Sequence, residues 1–273
     1  MLQLASGEPA GVADGTQTIR RAASILRSIA NAGIQGVALA DIARLEGLPR
    51  STAHRMLKCL LQEGFIEQLE GSKRYCIGNL TFELSLAVNR SAREVARWRK
   101  LVELVAARTG ATAYLMRRTG VESVCLLKID GNSVIRVIPV ETGQRRPLGV
   151  GAGATALLSA LDDPSADAVV DAIAPELKHH TRMGSADIKA ALRLARAQGY
   201  AVSNSTVADQ VFGMGFIIPD SGAVPALAVS IAAHQSLATR ENVEDWKRII
   251  REEIRLACAP PRDADADQDR GAA

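Results

Sequence analysis

The chain has 273 residues, 33 Lys and Arg against 30 Asp and Glu, and a formal net charge of +3. This length suits one large or two ordinary domains with a sizeable core, and the charge is too small to name a partner by itself. Cys59, Cys76, Cys125 and Cys258 are widely spaced and form no C-x-x-C pair, which excludes a zinc motif and a disulfide framework and leaves reduced thiols, as in a cytoplasmic protein.

Residues 1–15 are small, polar and aperiodic and read as a flexible lead-in, without the basic start and apolar run of a secretory signal. No apolar segment is long enough to span a bilayer, so no membrane partner is expected. Thr18 is a candidate cap for a first helix to about Asn31, whose stripe would be Ile19, Ala22, Ala23, Leu26, Ile29 and Ala30. A second short helix carries Leu39, Ile42 and Ala43.

The stretch that organises the chain follows. At 100° per residue, Ala53, Met56, Leu57 and Leu60 share one face of a helix from Arg50 to Glu63. Ser51, Arg55, Lys58 and Gln62 share the opposite face, with His54 at its edge. Gly47-Leu48-Pro49 supplies the reversal before it. Phe65–Leu69 and Arg74–Ile77 then read as short strands joined by Gly71-Ser72-Lys73. Helix, glycine turn, cationic helix and two-stranded wing describe a winged helix-turn-helix over residues 16–78, with double-stranded DNA as partner. A solvated helical hairpin is the competing reading, weakened by the wing cations.

In such a domain Ser51 and Thr52 suit phosphate oxygens at the helix start, although Thr52 lies near the core edge and a structural role competes. Arg50 suits phosphate or base, His54, Arg55 and Lys58 face base edges, and Lys73 and Arg74 meet backbone or minor groove.

Residues 79–91 read as a linker helix whose Phe82 and Leu86 suggest a dimer contact. A long helix with Val95, Trp98, Leu101, Val102 and Val105 comes next. Strands are predicted at Ala111–Arg117, Ser123–Ile129 and Val134–Ile138, and again at Tyr200–Ser203, Phe212–Ile218 and Ala226–Ala232. Asp220-Ser221-Gly222 turns between the last two. Helices are predicted at Ala152–Leu161, Ser165–Ala174, Ser185–Gln198 and Arg240–Cys258. Tight turns between consecutive strands mean antiparallel pairing and an α+β class, over residues 92–258. The Asp- and Ala-rich 259–273 reads as a disordered tail.

Four pieces resemble the IclR family of bacterial transcription regulators. Gly47 to Leu57 (GLPRSTAHRML) resembles its G-L-P-[KR]-S-T-x-x-R-[LM]-L recognition segment, and Glu63-Gly64-Phe65-Ile66 its turn into the wing. Gly143-Gln144-Arg145-Arg146-Pro147-Leu148, leading into Ala156-Leu157-Leu158, resembles its G-x-R-x-P-L stretch, and Gln198-Gly199-Tyr200-Ala201-Val202 its helix-to-strand junction. The resemblance runs from about Thr18 to Cys258. It implies a regulator that binds operator DNA through the winged helix, a GAF-like second domain that binds a small-molecule effector, and a homodimer or tetramer. No cofactor or metal is implied.

The glycine-rich Gly149 to Ala154 is a poor dinucleotide fingerprint, because the third glycine comes too early. Its amides at Gly151, Ala152 and Gly153 suit an effector carboxylate, as the corresponding loop does in the resembled family; a packing turn is the alternative. The sequence departs from that family at Gly149 and Thr155, where histidine and lysine are common, at Ser203 to Thr206, often acidic, and at Phe212-Gly213, often Arg-Cys. Ser230 falls where ligand-contacting serines lie, while Ala232 replaces a second one. Phe212, Met214 and Phe216 suggest a less polar effector, or simply core. Effector candidates are therefore Gly151, Ala152, Gly153, Ser203, Phe212, Met214 and Ser230.

An enzyme, or a nonspecific nucleoid-type DNA binder, is the alternative function. His179-His180 has no ligand partner at i+4, Cys125 sits mid-strand, and His234 near Ser236 has nothing to complete a triad, so no catalytic residue is assigned.

Overall fold

The computed structural model describes residues 14–87, 89–135, 137, 140–219 and 226–259. The lead-in up to residue 13, the Asp220-Ser221-Gly222 turn and the tail after Ala259 lie outside the described residues, while residues 14 and 15 of the expected lead-in belong to the first helix. Contacts divide the chain between Ala92 and Arg93. No helix among the described residues is long and apolar enough to cross a membrane.

The first unit begins with α1 (Asp14–Asn31), α2 (Leu39–Leu45) and α3 (Arg50–Gln62). Thr18 lies inside α1 and does not cap it. Nor does the expected stripe start at Ile19, which is 70% exposed. The buried stripe is Ala22, Ile25, Leu26 and Ile29, an i, i+3, i+4, i+7 set that packs with Ile42, Leu57, Leu60 and Ile66. Gly47 takes φ +61 with open space around it, so the left-handed turn, not crowding, is what calls for glycine there. β1 (Ile66–Gln68) and β2 (Tyr75–Ile77) pair antiparallel as the wing, and α4 (Asn79–Leu86) follows.

The second unit is built on six antiparallel strands. α5 (Asn89–Thr109) leads to β3 (Thr112–Thr119), β4 (Glu122–Ile129) and β5 (Arg145–Pro147). Then come α6 (Ala152–Ser159), α7 (Asp163–Ile173) and α8 (Ser185–Gln198), which Gly199 closes in the left-handed conformation. β6 (Ala201–Asn204), β7 (Val211–Ile217), β8 (Leu227–His234) and α9 (Arg240–Cys258) complete it. The sheet order is β5-β4-β3-β8-β7-β6, and every pairing is antiparallel.

Helices cover both faces of the sheet. α6, α7 and α8 pack on Tyr114, Met116, Cys125, Ala228 and Ala232; α5 and α9 pack on Leu115, Leu127, Met214, Phe216 and Val229. Double coverage explains why β7 and β8 are buried along nearly their whole length and, apart from Ser230 and His234, carry no polar side chain, without the polar alternation of a half-exposed strand. Arg108 ties α5 to α9 through Glu253 at 2.5 Å and Glu252 at 2.8 Å.

The predicted strand Val134–Ile138 is not one in its described part. Val134 is fully exposed and Ile135 is 45% exposed, while 136 and 138 lie outside the described residues. β4's outer neighbour is Arg145–Pro147, whose local propensity is poor. Its strand state comes from pairing with Glu122–Val124.

Candidate DNA interface and effector cavity

α3 is 13 residues long, roughly 20 Å of helix, enough to lie in a major groove. Ala53, Leu57 and Leu60 anchor it, which turns Arg50, Ser51, His54, Arg55 and Lys58 to solvent. Thr52 is half-buried, as its place near the core edge suggested. Among the described residues, Arg50, His54, Arg55, Lys58 and Lys73 hold no hydrogen bond or ion pair, so their donors are available to a polyanion. The first amides of α3 are free of side-chain caps.

Arg74 departs from its expected role. Its Nε donates to the Gln35 carbonyl at 2.8 Å and its Nη2 to the Gly36 carbonyl at 2.8 Å. The guanidinium clamps the Gly33–Gln35 turn to the wing, beside the Val37–Tyr75 bridge, instead of reaching outward. Lys73, at φ +53 in the wing turn, remains exposed.

In the second unit a cavity lies between the sheet and α6. Gly151, Ala152, Gly153, Ser203 and Ser230 line it, together with Tyr114, Arg146, Met116 and a wall that includes Val140, Val150, Val207 and Val211. The helix reaches this position because small residues let it lie flat on the sheet. A Cβ at Gly215 would stand 2.4 Å from the Ala152 carbonyl oxygen, and one at Gly153 would stand 2.8 Å from Ser230 Oγ and 2.9 Å from Met116 Cγ. The glycine-rich entry is therefore a packing device that also lines the cavity. Thr155 does not face the cavity chemistry; its hydroxyl donates to the Gly149 and Gly151 carbonyls at 3.0 Å and fixes the turn.

Phe212 and Met214 are corrections. Strand alternation sends Val211, Gly213 and Gly215 toward α6, and Phe212, Met214 and Phe216 to the other face. There Phe212 meets Trp246 at 6.0 Å between ring centroids and Phe216 stacks on Tyr200 at 5.4 Å. The aliphatic wall, not these residues, makes the cavity apolar.

Tyr114 and Arg146 were not singled out from the sequence. Arg146 stood inside a quoted motif, but its strand was assigned elsewhere, so no alternation could tell which arginine turned inward. Arg145 pairs outward with Glu122 at 2.9 Å. Arg146 lines the cavity, and burial lowers its proton affinity, partly offset by Tyr114. Tyr114 Oη is buried with no hydrogen-bond partner among the described residues, and burial, above all, pushes its phenol far up.

Other candidates carry less. Burial pushes Cys125 up to about 12, which leaves an inert thiol. Burial, the largest influence, holds the His180 imidazole below its usual value. His234 is pinned by Ser236 Oγ at 2.8 Å and Gln210 Oε1 at 2.7 Å. Among the described residues no cluster of His, Cys, Asp or Glu is placed to hold a metal.

Two family descriptions match the chain: the IclR helix-turn-helix domain over residues 18–70, and the bacterial transcriptional regulator IclR C-terminal domain over residues 89–258. The glycerol operon regulatory protein of Streptomyces coelicolor is 30% identical over 242 residues, covering 84% of this chain and 89% of that protein. The transcriptional repressor IclR of Escherichia coli is 22% identical over 237 residues, covering 86% of each. Among solved structures, an IclR-family regulator from Brucella abortus superposes with a TM-score of 0.70 at 18% identity, covering 95% of this chain and 97% of that one. An IclR homologue from Microbacterium hydrocarbonoxydans, solved with 4-hydroxybenzoate, gives 0.63 at 20% identity, covering 88% and 99%.

Proposed function

The chain belongs to the IclR family of bacterial transcriptional regulators, and on that premise we propose that α3 reads operator DNA while the cavity beside α6 takes a small-molecule effector that modulates this binding. The observation that carries the reading is the outer face of α3, where Arg50, Arg55 and Lys58 stand exposed around a helix start bearing Ser51. Ser51, Thr52, Arg50 and Lys73 contact phosphates; His54, Arg55 and Lys58 reach base edges. The effector is an aromatic or carboxylate metabolite of modest size, in keeping with the cavity and with the 4-hydroxybenzoate bound by one structural neighbour. Its role is binding without turnover.

The test is a gel shift on the intergenic DNA beside the protein's own gene, at physiological salt with random DNA as competitor. A discrete shift that survives competitor, and that a metabolite alters, is the expected result. Equal binding to both DNAs would point to a nucleoid-type binder instead. On that operator Arg55→Ala is expected to cost about 1–3 kcal/mol and to relax sequence preference. Equal loss on random DNA would make Arg55 a phosphate contact.

We also read the protein as a homodimer or a tetramer of dimers. α4 exposes Phe82, Leu84 and Leu86 at 64%, 52% and 66%, and isolated large apolar groups so close together favour a contact. Sedimentation at micromolar concentration should give a dimer or larger, and Phe82→Ser should shift it toward monomer. A monomeric parent protein would sink the reading.

A further inference from the structure

We propose that Arg74 is a positioning residue for DNA binding: by clamping the wing to the turn that follows α1, it fixes the tip from which Lys73 meets a phosphate. This rests on the reading of Lys73 as a phosphate contact.

The wing alone cannot hold that direction. β1 and β2 have three residues each, and an isolated two-stranded ribbon is marginal in water. Their register runs from Ile66–Ile77 to Gln68–Tyr75, and the Leu69 amide adds a bond to the Arg74 carbonyl at 2.8 Å. Past that pair the turn is closed by long hydrogen bonds of 3.4 Å around Ser72. Lys73 takes φ +53, a left-handed conformation that a residue with a side chain keeps only where its surroundings impose it.

Two independent features supply the support from outside the ribbon. The first is the clamp. Arg74 Nε donates to the Gln35 carbonyl at 2.8 Å and the Gly36 carbonyl at 3.2 Å, and Nη2 donates to the Gly36 carbonyl at 2.8 Å. Among the described residues no backbone amide donates to either carbonyl, so the guanidinium supplies their hydrogen bonds. One planar fork takes two consecutive carbonyls, which a single ammonium cannot do with the same geometry. Swinging Arg74 out to a phosphate would strip both carbonyls of this partner, which opposes a direct role on DNA.

The second feature is close packing. Gly36 is buried at φ +60, and a Cβ there would stand 2.8 Å from the Tyr75 carbonyl oxygen, 3.1 Å from Leu69 Cδ1 and 3.3 Å from Arg74 Cβ. One step on, Val37 and Tyr75 exchange amide-to-carbonyl hydrogen bonds at 2.9 Å. Residues 36 and 37 therefore lie along β2 like a third strand, and their support ends at Arg74, next to Lys73. Lys73 is exposed and holds no hydrogen bond or ion pair among the described residues. A tip held in this way reaches DNA already ordered, whereas a loose one would lose conformational freedom on binding and weaken the contact.

The experiment follows the full-length protein by fluorescence anisotropy on the intergenic DNA beside its own gene and on a random duplex, across about 50–200 mM salt. Lys73→Gln should lower the slope of log affinity against log salt by about 0.9 on both DNAs, as one lost phosphate contact does. Arg74→Gln should lower it by the same amount, and the double variant no further, because the clamp acts through Lys73. Arg74→Lys keeps the charge but not the fork and should behave as R74Q does. Gly36→Ala changes no charge and should give the same loss by pushing the turn off the wing. Thermal melts establish that each variant is folded at the assay temperature; should R74Q not be, R74K, with a donor left for one carbonyl, carries the same comparison. A merely structural arginine would lower the melting temperature and leave the Lys73 share of the slope in place, which would overturn the proposal. So would slopes that add to about 1.8 in the double variant, or a parent slope restored by R74K, since either makes Arg74 a phosphate contact. If K73Q leaves the parent slope unchanged, the reading of Lys73 itself falls, and the proposal with it.

Discussion

Replacing Leu57 with alanine is expected to unfold the DNA-binding unit and abolish operator binding while effector binding persists. Leu57 is fully buried where α1, α2, α3 and β1 converge, against Ile25, Ile29, Ile42 and Ile66. Truncating such a leucine costs about 2–5 kcal/mol, through lost transfer energy and the cavity left behind. A core this small rarely supplies more than about 3–5 kcal/mol in total, so the loss is comparable with the whole stability of the unit. The second unit keeps its own two cores and should hold its thermal transition. Calorimetry of the full chain would register the lowered transition, and a gel shift with parallel ligand titration would register the split in function. Unchanged operator affinity in L57A would show that the core tolerates the void.

The next largest effect is expected from Gly215→Ala. The position is ordinary strand backbone, so the obstacle is space: the new Cβ would meet the Ala152 carbonyl oxygen at 2.4 Å, its carbon at 2.6 Å and the Gly153 amide nitrogen at 2.9 Å. All three are backbone atoms of the first turn of α6, which cannot swing aside as a side chain could. The helix must lift from the sheet, at about 1–3 kcal/mol or more for overpacking. Ala152, Gly153 and Ala154 line the cavity, so effector affinity should fall even where the fold survives. Gly143→Ala is the control, since a Cβ there meets nothing within 4 Å and only its φ of +87 is strained. If both variants lose the same stability and the same affinity, close packing of α6 is not what shapes the cavity.

The DNA-binding unit was nearly all legible in the chain. The spacing of Ala53, Met56, Leu57 and Leu60 decides which side of α3 is buried, and that choice exposes Arg55 and Lys58 without further information. The start of α1 and Arg74 were the exceptions; the Arg74 clamp on Gln35 and Gly36 joins positions 38–39 residues apart and no local pattern encodes it. In the second unit α9 and the antiparallel class were equally plain, but the cavity was not. Phe212 and Met214 lost their place to strand parity, and the strand beside β4 is Arg145–Pro147, while the described part of the more β-prone Val134–Ile138 is not a strand.

The winged helix-turn-helix, its cationic outer face and the α+β class are thus encoded along the chain, since periodicity and turn chemistry act over a few residues and are written locally. Which side chains share the cavity is settled by long-range assembly. Tyr114, Arg146, Gly153 and Ser230 meet there from β3, β5, α6 and β8, and their company depends on sheet order, register and the closeness of α6 to the sheet. Those are long-range pairings, fixed when both faces of the sheet are buried and not before.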